Sequence, residues 1–205
     1  MMRNNATIGI TGGIGAGKSI ISRILRCNGF EVYDCDSKAK QLMQTDNTLK
    51  EKLKSLFGDD IYNPPNCLNK KYLAKIIFTD ESARAKVNSI VHEVVRNDIR
   101  IEREKAGKVF FIESAILASS GLDSFCDSVW MVEAPESLRI ERTQKRDNIS
   151  QEDIINRIQS QQYEMALLNH DKIIILDNDD CHPLLSEVLA LTNKNNNNQT
   201  YTLSC

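Results

Sequence analysis

Residues Gly12-Gly13-Ile14-Gly15-Ala16-Gly17-Lys18-Ser19 fit the pattern G-x-x-x-x-G-K-[ST], and no other stretch constrains the chain as strongly. In front of it stands a short apolar segment, Ala6 to Ile10, that reads as a buried strand. Behind it Ile20, Ile21, Ile24 and Leu25 recur at helical spacing, with a stop near Gly29. A phosphate-binding loop requires this strand–loop–helix order. Glycines let successive backbone N–H groups turn inward around an anion, and the helix N-terminus adds partial positive charge. Lys18 is placed to reach the β- and γ-phosphates of a nucleoside triphosphate, and the Ser19 hydroxyl to ligate Mg²⁺. A dinucleotide fingerprint G-x-G-x-x-G would need a glycine where Lys18 stands.

A chain of 205 residues can bury one sizeable core with a small subdomain attached. Its net charge of −2 makes no global electrostatic case for nucleic acid. No apolar run approaches a membrane span, and Met1 to Asn5 lacks the apolar core of a signal peptide, so a membrane is not an expected partner either. Cys27, Cys35, Cys67, Cys126, Cys181 and Cys205 are scattered, with no C-x-x-C pair. Beside a nucleotide loop they read as reduced thiols, and a cytoplasmic location is the expectation. There is no internal repeat; oligomeric state is open, with a monomer as the default.

Phe30 to Tyr33 reads as a second strand ending in Asp34-Cys35-Asp36. In an open parallel sheet, ligands sit beyond the carboxyl ends of strands, so these carboxylates are candidates for chemistry. They are equally suited to be the N-cap and first-turn acid of a helix starting near Ser37. From Asp46 to Gly107 no strand is evident. Leu49, Leu53 and Leu56 mark one helix and Tyr72, Leu73, Ile76 and Ile77 a second, with Asn63-Pro64-Pro65-Asn66 as a loop between them. Thr79-Asp80 can cap a long helix to about Ala106, with Val87, Ile90, Val91, Val94 and Val95 on one face. This block is too long for an ordinary crossover and reads as an inserted substrate-side subdomain. Asn88, His92, Arg96 and Arg100 form a stripe beside the apolar face, either a solvated side or a site for a phosphorylated substrate.

Val109 to Glu113 reads as a third strand; Glu113 suits either a Mg²⁺-bound water or a cap on the following turn. Ser128 to Val132 is a fourth strand, in which Trp130 reads as packing. Pro135 suits the first position of a helix carrying Arg139, Arg142, Lys145 and Arg146. Ser150-Gln151-Glu152-Asp153 is a capping box for the next helix, which carries Arg157 and Gln161. Such a basic hairpin is a candidate lid over a transferring phosphate, with Arg142 and Arg146 foremost. Lys172 to Leu176 is a fifth strand and Pro183 to Leu191 a closing helix, with a polar tail from Asn193 to Cys205.

From Ile8 to about Leu191 this order resembles the dephospho-coenzyme A kinase family. The resemblance rests on Ile10 to Ser19, on Asp34-Cys35-Asp36, and on Leu68 with Leu73 and Phe78. Asn88-Ser89-Ile90-Val91-His92, Arg142, Arg146-Asp147, Arg157-Ile158 and Gln161 add to it. It departs at Glu93, where the family usually has Pro, and at Ala115 to Ser119, where the family commonly has Pro-Leu-Leu-Phe-Glu. The spacing from Asp171 to Asn178 is stretched.

The resemblance implies an α/β fold of the phosphate-loop, nucleoside-monophosphate-kinase-like kind, with a five-stranded parallel sheet, helices on both faces, a helical insertion and a lid. The implied core is about residues 6–45, 108–138 and 170–192, with the insertion at about 46–107, the lid at about 139–168 and a tail at 193–205. It further implies ATP with Mg²⁺ on Gly12, Gly13, Ile14, Gly15, Ala16, Gly17, Lys18, Ser19 and Ile20. Asp36 would accept or orient the proton of the 3′-hydroxyl of dephospho-CoA, and Arg142 and Arg146 would steady the γ-phosphoryl group. Asp34, Asn88, His92, Arg96, Arg157 and Gln161 would bind substrate. Another small-molecule kinase is the nearest alternative. A guanine-nucleotide switch would need Asn-Lys-x-Asp, and both Asn69-Lys70-Lys71-Tyr72 and Asn193-Lys194-Asn195-Asn196 lack the Asp. A binding module without catalysis sits poorly with the carboxylate pair and the basic hairpin.

Overall fold

The computed structural model describes residues 6–65, 67–107 and 109–197. In chain order the elements open with β1 (Ala6–Thr11), α1 (Lys18–Cys27), β2 (Val32–Asp34), α2 (Cys35–Thr45) and α3 (Asn47–Phe57). A short hairpin of β3 (Tyr62–Asn63) and β4 (Cys67–Leu68) leads to α4 (Lys70–Thr79) and α5 (Glu81–Lys105). Then come β5 (Val109–Glu113), β6 (Ser128–Glu133), α6 (Glu136–Asp147), α7 (Gln151–Leu167), β7 (Ile173–Asp177) and α8 (Leu184–Asn197). The chain divides into two compact units, one of residues up to Tyr33 with those from Ala106 on, the other Asp34–Lys105.

The first unit is built on the expected five-stranded parallel sheet, in the order β2-β5-β1-β6-β7. β1 pairs in parallel with both β5 and β6, and β7 with β6. Central parallel strands covered on both faces must be apolar throughout, and Val129 to Val132 of β6 are all buried. On β7, at the edge, Ile173 and Ile175 are exposed while Leu176 is buried. Ile8, Ile10, Trp130, Val132 and Leu176 pack with Ile21 and Leu25 of α1 and Val188 of α8 in one core cluster. Phe111 sits between Phe30 and Trp130, with ring centroids 5.6 and 5.3 Å away. Trp130 is therefore core packing, as its setting in a strand suggests.

The second unit is helical. Ala83, Val87, Val91, Val95 and Ile99 are the buried stripe of α5, so the face repeats every four residues, with Ile90 and Val94 only half-buried. Asp80 caps this helix, its Oδ1 accepting from Ser82 and Ala83 N–H at 2.8 and 3.1 Å. The β3–β4 hairpin corrects the expectation of no strand here: Tyr62 pairs with Leu68 and Asn63 with Cys67. Strands of two residues carry no readable period. What fixes them is tertiary, since Tyr62 is buried with its hydroxyl donating to Met43 C=O at 2.8 Å. Burial pushes the Tyr62 hydroxyl up to about 12.

Two further boundaries shift. Pro135 is the N-cap of α6, not its first helical residue. The closing helix runs on to Asn197, because a helix anchored by buried Val188 and Thr192 propagates one backbone bond per added residue even through asparagines. The remainder of the expected tail lies outside the described residues. Removing the central ring by Phe111→Ala should cost about 3–5 kcal/mol, read as a lowered denaturant midpoint. A loss below about 1 kcal/mol would mean that the Phe30–Phe111–Trp130 stack contributes little to the core.

Candidate functional site

The phosphate-binding loop leaves β1 at Gly12 and enters α1 at Lys18, with Gly17 as the N-cap at φ 107°. Only glycine adopts that left-handed backbone without strain. Its glycines also make room for protein neighbours. A Cβ on Gly12 would run into the Val132 carbonyl, on Gly13 into the Arg139 guanidinium, and on Gly17 into the Asn178 side chain. Lys18 Nζ lies at the mouth of the loop, donating to Gly12 C=O at 2.8 Å and Gly13 C=O at 3.3 Å. Ser19 and Ile20 stand exposed in the first turn of α1.

Two further loop carbonyls and one amide are held from outside the motif. Arg139 Nε donates to Ile14 C=O at 2.9 Å, and Ile14 N–H donates to Gln161 Oε1 at 2.6 Å. Asn178 Nδ2 donates to Ala16 C=O at 2.8 Å, while Asn178 N–H donates to Glu133 C=O at 2.8 Å. Burial lowers the Arg139 pKa, with the neighbouring Glu136 charge opposing it. Beside the loop lies a cavity of about 230 Å³, lined among others by Gly13, Ala16, Glu133, Arg139, Gln161 and Met165.

The expected arginines are placed differently. Arg142 Nη1 donates to Asn178 C=O at 2.9 Å, and its Nη2 pairs with Asp180 Oδ1 at 2.6 Å. Arg146 is paired through Nε and Nη2 with Asp147 at 2.7 and 2.8 Å, and Arg157 is exposed. The arginine that meets the loop is Arg139, one helical turn before Arg142, which sequence reasoning passed over. Glu164 was missed as well, and Asn178 was noted only for its spacing from Asp171. Glu164 is buried on α7, its carboxylate accepting from Ala118 N–H at 2.6 Å and Ser119 N–H at 3.1 Å. A buried acid on an amphipathic helix is the one signal the sequence offered for it.

The turn after β5 is held by Glu164, and by Ser114 Oγ at Ile116 N–H. Glu113, for which the sequence left a Mg²⁺-bound water and a cap as alternatives, accepts from the Ser22 hydroxyl of α1 at 2.5 Å. In the helical unit, Asp34 is the N-cap of α2. Its two oxygens accept from Ser37 N–H at 3.0 Å and Ser37 Oγ at 2.7 Å, and Asp36 stands exposed in the first turn. Asn88, His92, Arg96 and Arg100 follow each other along α5, His92 and Arg96 half-buried, Asn88 and Arg100 exposed. Glu93, at the position of the family's proline, pairs with Lys52 of α3 at 3.2 Å.

The loop that follows β7 carries a charged staple. Asp179 Oδ1 accepts from Cys181 and His182 N–H, both at 2.9 Å, and its Oδ2 lies 3.0 Å from His182 Nδ1. These backbone bonds, reinforced by the imidazole, pull the Asp179 pKa down to about 2. The hydrogen bond to Asp179 raises His182 above its ordinary 6.5. The lowered Asp179 pKa favours the folded loop above the ordinary carboxylate range, and that contribution fades as pH falls toward about 2. The raised His182 pKa favours it below 6.5, and that contribution is lost as pH rises through the raised value. An NMR titration should find His182 above 6.5, and Asp179→Asn should bring it back down. A His182 that titrates identically in both proteins would show that the pair does not form in solution.

A family model described as dephospho-CoA kinase matches residues 6–182. The chain is 44% identical over 162 residues to the dephospho-CoA kinase of Porphyromonas gingivalis, covering 78% of this chain and 80% of that one. It is 37% identical over 186 residues to the Bacteroides fragilis protein of the same name, covering 90% of each. Among solved structures, a protein of Thermus thermophilus superposes with a TM-score of 0.78 at 27% identity, over 93% of this chain and 97% of that one.

Proposed function

The chain belongs to the dephospho-CoA kinase family, and from that membership we propose that it transfers the γ-phosphoryl group of ATP to the 3′-hydroxyl of the dephospho-CoA ribose, the last step of coenzyme A formation. One observation carries this reading. The family match spans the Gly12–Ser19 loop, whose residues follow the phosphate-binding pattern and which holds Lys18 Nζ against its own Gly12 and Gly13 carbonyls. The donor lies along Gly12 to Ile20, with Lys18 exchanging its Gly12 and Gly13 carbonyl partners for the β- and γ-phosphates. Ser19, exposed in the first turn of α1, offers the hard oxygen that Mg²⁺ takes alongside phosphates and water. Bound there, the ion would neutralise charge that builds on the β- and γ-phosphoryl oxygens.

Phosphoryl transfer needs positioning and charge stabilisation more than covalent help. Of the two acids after β2, Asp34 is engaged as a helix cap, so Asp36 takes the role of accepting or orienting the hydroxyl proton. We assign the helical unit Asp34–Lys105 to the acceptor, with Asn88, His92 and Arg96 recognising its charged groups. Arg142, Arg146 and Arg157 supply positive charge for the phosphoryl group in flight. For Arg142 and Arg146 this requires release from Asp180 and Asp147. Among the described residues no cysteine is in a disulfide, in keeping with a cytoplasmic enzyme.

Purified protein with Mg·ATP and a panel of acceptors should release ADP fastest with dephospho-CoA, giving a product heavier by one phosphoryl group. Turnover with a nucleoside monophosphate or a sugar acid but none with dephospho-CoA would favour another small-molecule kinase. Asp36→Asn should lower kcat by about 10²–10⁴ while ATP affinity stays within about threefold. A variant as fast as wild type would move the proton-accepting role to another group, Asp34 first.

A further inference from the structure

Ile14 has both of its backbone polar groups taken by side chains of the α6–α7 hairpin, its carbonyl by Arg139 and its amide by Gln161. The contact is close on either side of it. A Cβ on Gly13 would strike the Arg139 guanidinium, and one on Gly15 would strike the Arg139 carbonyl. That carbonyl also accepts from Thr143 Oγ1 at 2.7 Å, which fixes the turn of α6 that faces the loop. Gly13 and Ala16, on either side of this stretch, border the 230 Å³ cavity together with Arg139 and Gln161. Lys18 Nζ marks the end of the loop that receives the outer phosphates, and its partners Gly12 and Gly13 directly precede Ile14.

We infer that Arg139 and Gln161 are positioning residues, clamping the outer-phosphate end of the loop to the α6–α7 hairpin so that the hairpin sets the geometry for a nucleoside triphosphate in preference to a diphosphate. This rests on the proposed use of ATP as phosphoryl donor. The two side chains act through one residue, so neither can hold Ile14 in register alone: losing the carbonyl partner frees the peptide to turn, and losing the amide partner frees it from the other side. Glu133 and Glu136 line the same cavity. The Glu136 charge favours the charged form of Arg139.

Calorimetric titration of β,γ-methylene-ATP and of ADP into wild type, Arg139→Met, Gln161→Met and the double variant tests this. Each single variant should weaken the triphosphate analogue by about threefold to tenfold, as for one lost hydrogen bond. ADP should change by less than about twofold, and the double variant should bind like the weaker single one. Arg139→Lys, which keeps charge and stem but lacks the Nε donor, should show the same selective loss with its Tm close to wild type. Equal weakening of both nucleotides, or single effects that multiply in the double variant, would overturn the clamp. The titrations contain no acceptor. A chain that phosphorylated some other alcohol would overturn the proposed function and leave the clamp standing.

Discussion

A loop that turns its amides inward to hold phosphates turns its carbonyls outward, and outward carbonyls that are cut off from water need donors. Much of the first unit's architecture follows from meeting that need. Lys18 serves Gly12 and Gly13, Arg139 serves Ile14, and Asn178 serves Ala16, so donors arrive from α1, from α6 and from the loop after β7. The sheet order makes this possible. With β1 between β5 and β6, and β7 beyond β6, the loops that leave β1, β6 and β7 all emerge at the same carboxyl edge.

The glycines answer two demands at once. Gly17 must be glycine for its backbone, which is left-handed at φ 107°, and also for its neighbour, since a Cβ would strike Asn178. Gly13 shows the second demand alone: its nearest neighbour is the Arg139 guanidinium, so the missing side chain makes space for protein. The G-x-x-x-x-G-K-[ST] pattern is silent about such positions. Here they record how closely α6 approaches the loop.

What the sequence made legible was whatever repeats or obeys local rules. The apolar runs gave the five strands of the sheet, and the face of Val87, Ile90, Val91, Val94 and Val95 gave α5, although of these only Val87, Val91 and Val95 are buried. Asp80 and Ser150 announced α5 and α7 by their capping chemistry, and Ser150 does accept from Asp153 N–H at 3.1 Å. Contacts between residues distant in sequence were not legible. Ile14 and Gln161 are 147 positions apart, and Asn178 and Ala16 are 162 apart. Charge on a helix says that arginines are present, not which one faces inward. Arg142 and Arg146 stood out by pattern, yet the structure sets Arg139 against the loop and pairs the other two with Asp180 and Asp147. The β3–β4 hairpin was unreadable for a simpler reason, because two residues have no period.

The departures from the family's pattern have local physical counterparts that explain why they are tolerated. Glu93 lies on an exposed turn of α5, where a glutamate keeps the backbone N–H that a proline would lack and gains a surface pair with Lys52, an interaction of small weight. Ala115 to Ser119 is the more instructive case. Glu164 grips this turn through the amides of Ala118 and Ser119, and Leu117 fills the space over Gly9. A carboxylate that binds backbone amides constrains the path of the chain while leaving most side chains free to change. Glu164 lies one turn beyond Gln161 on the same helix, and Gln161 grips the amide of Ile14 in the same manner. One face of α7 therefore holds the loops that leave two adjacent strands, β1 and β5, by their main chains. Any movement of the α6–α7 hairpin would have to pivot about that anchored half of α7 or break these contacts along with those of Arg139 and Arg142. The first course would disturb fewer bonds, because Arg146, Asp147 and Arg157 are all exposed and lie N-terminal to the anchor.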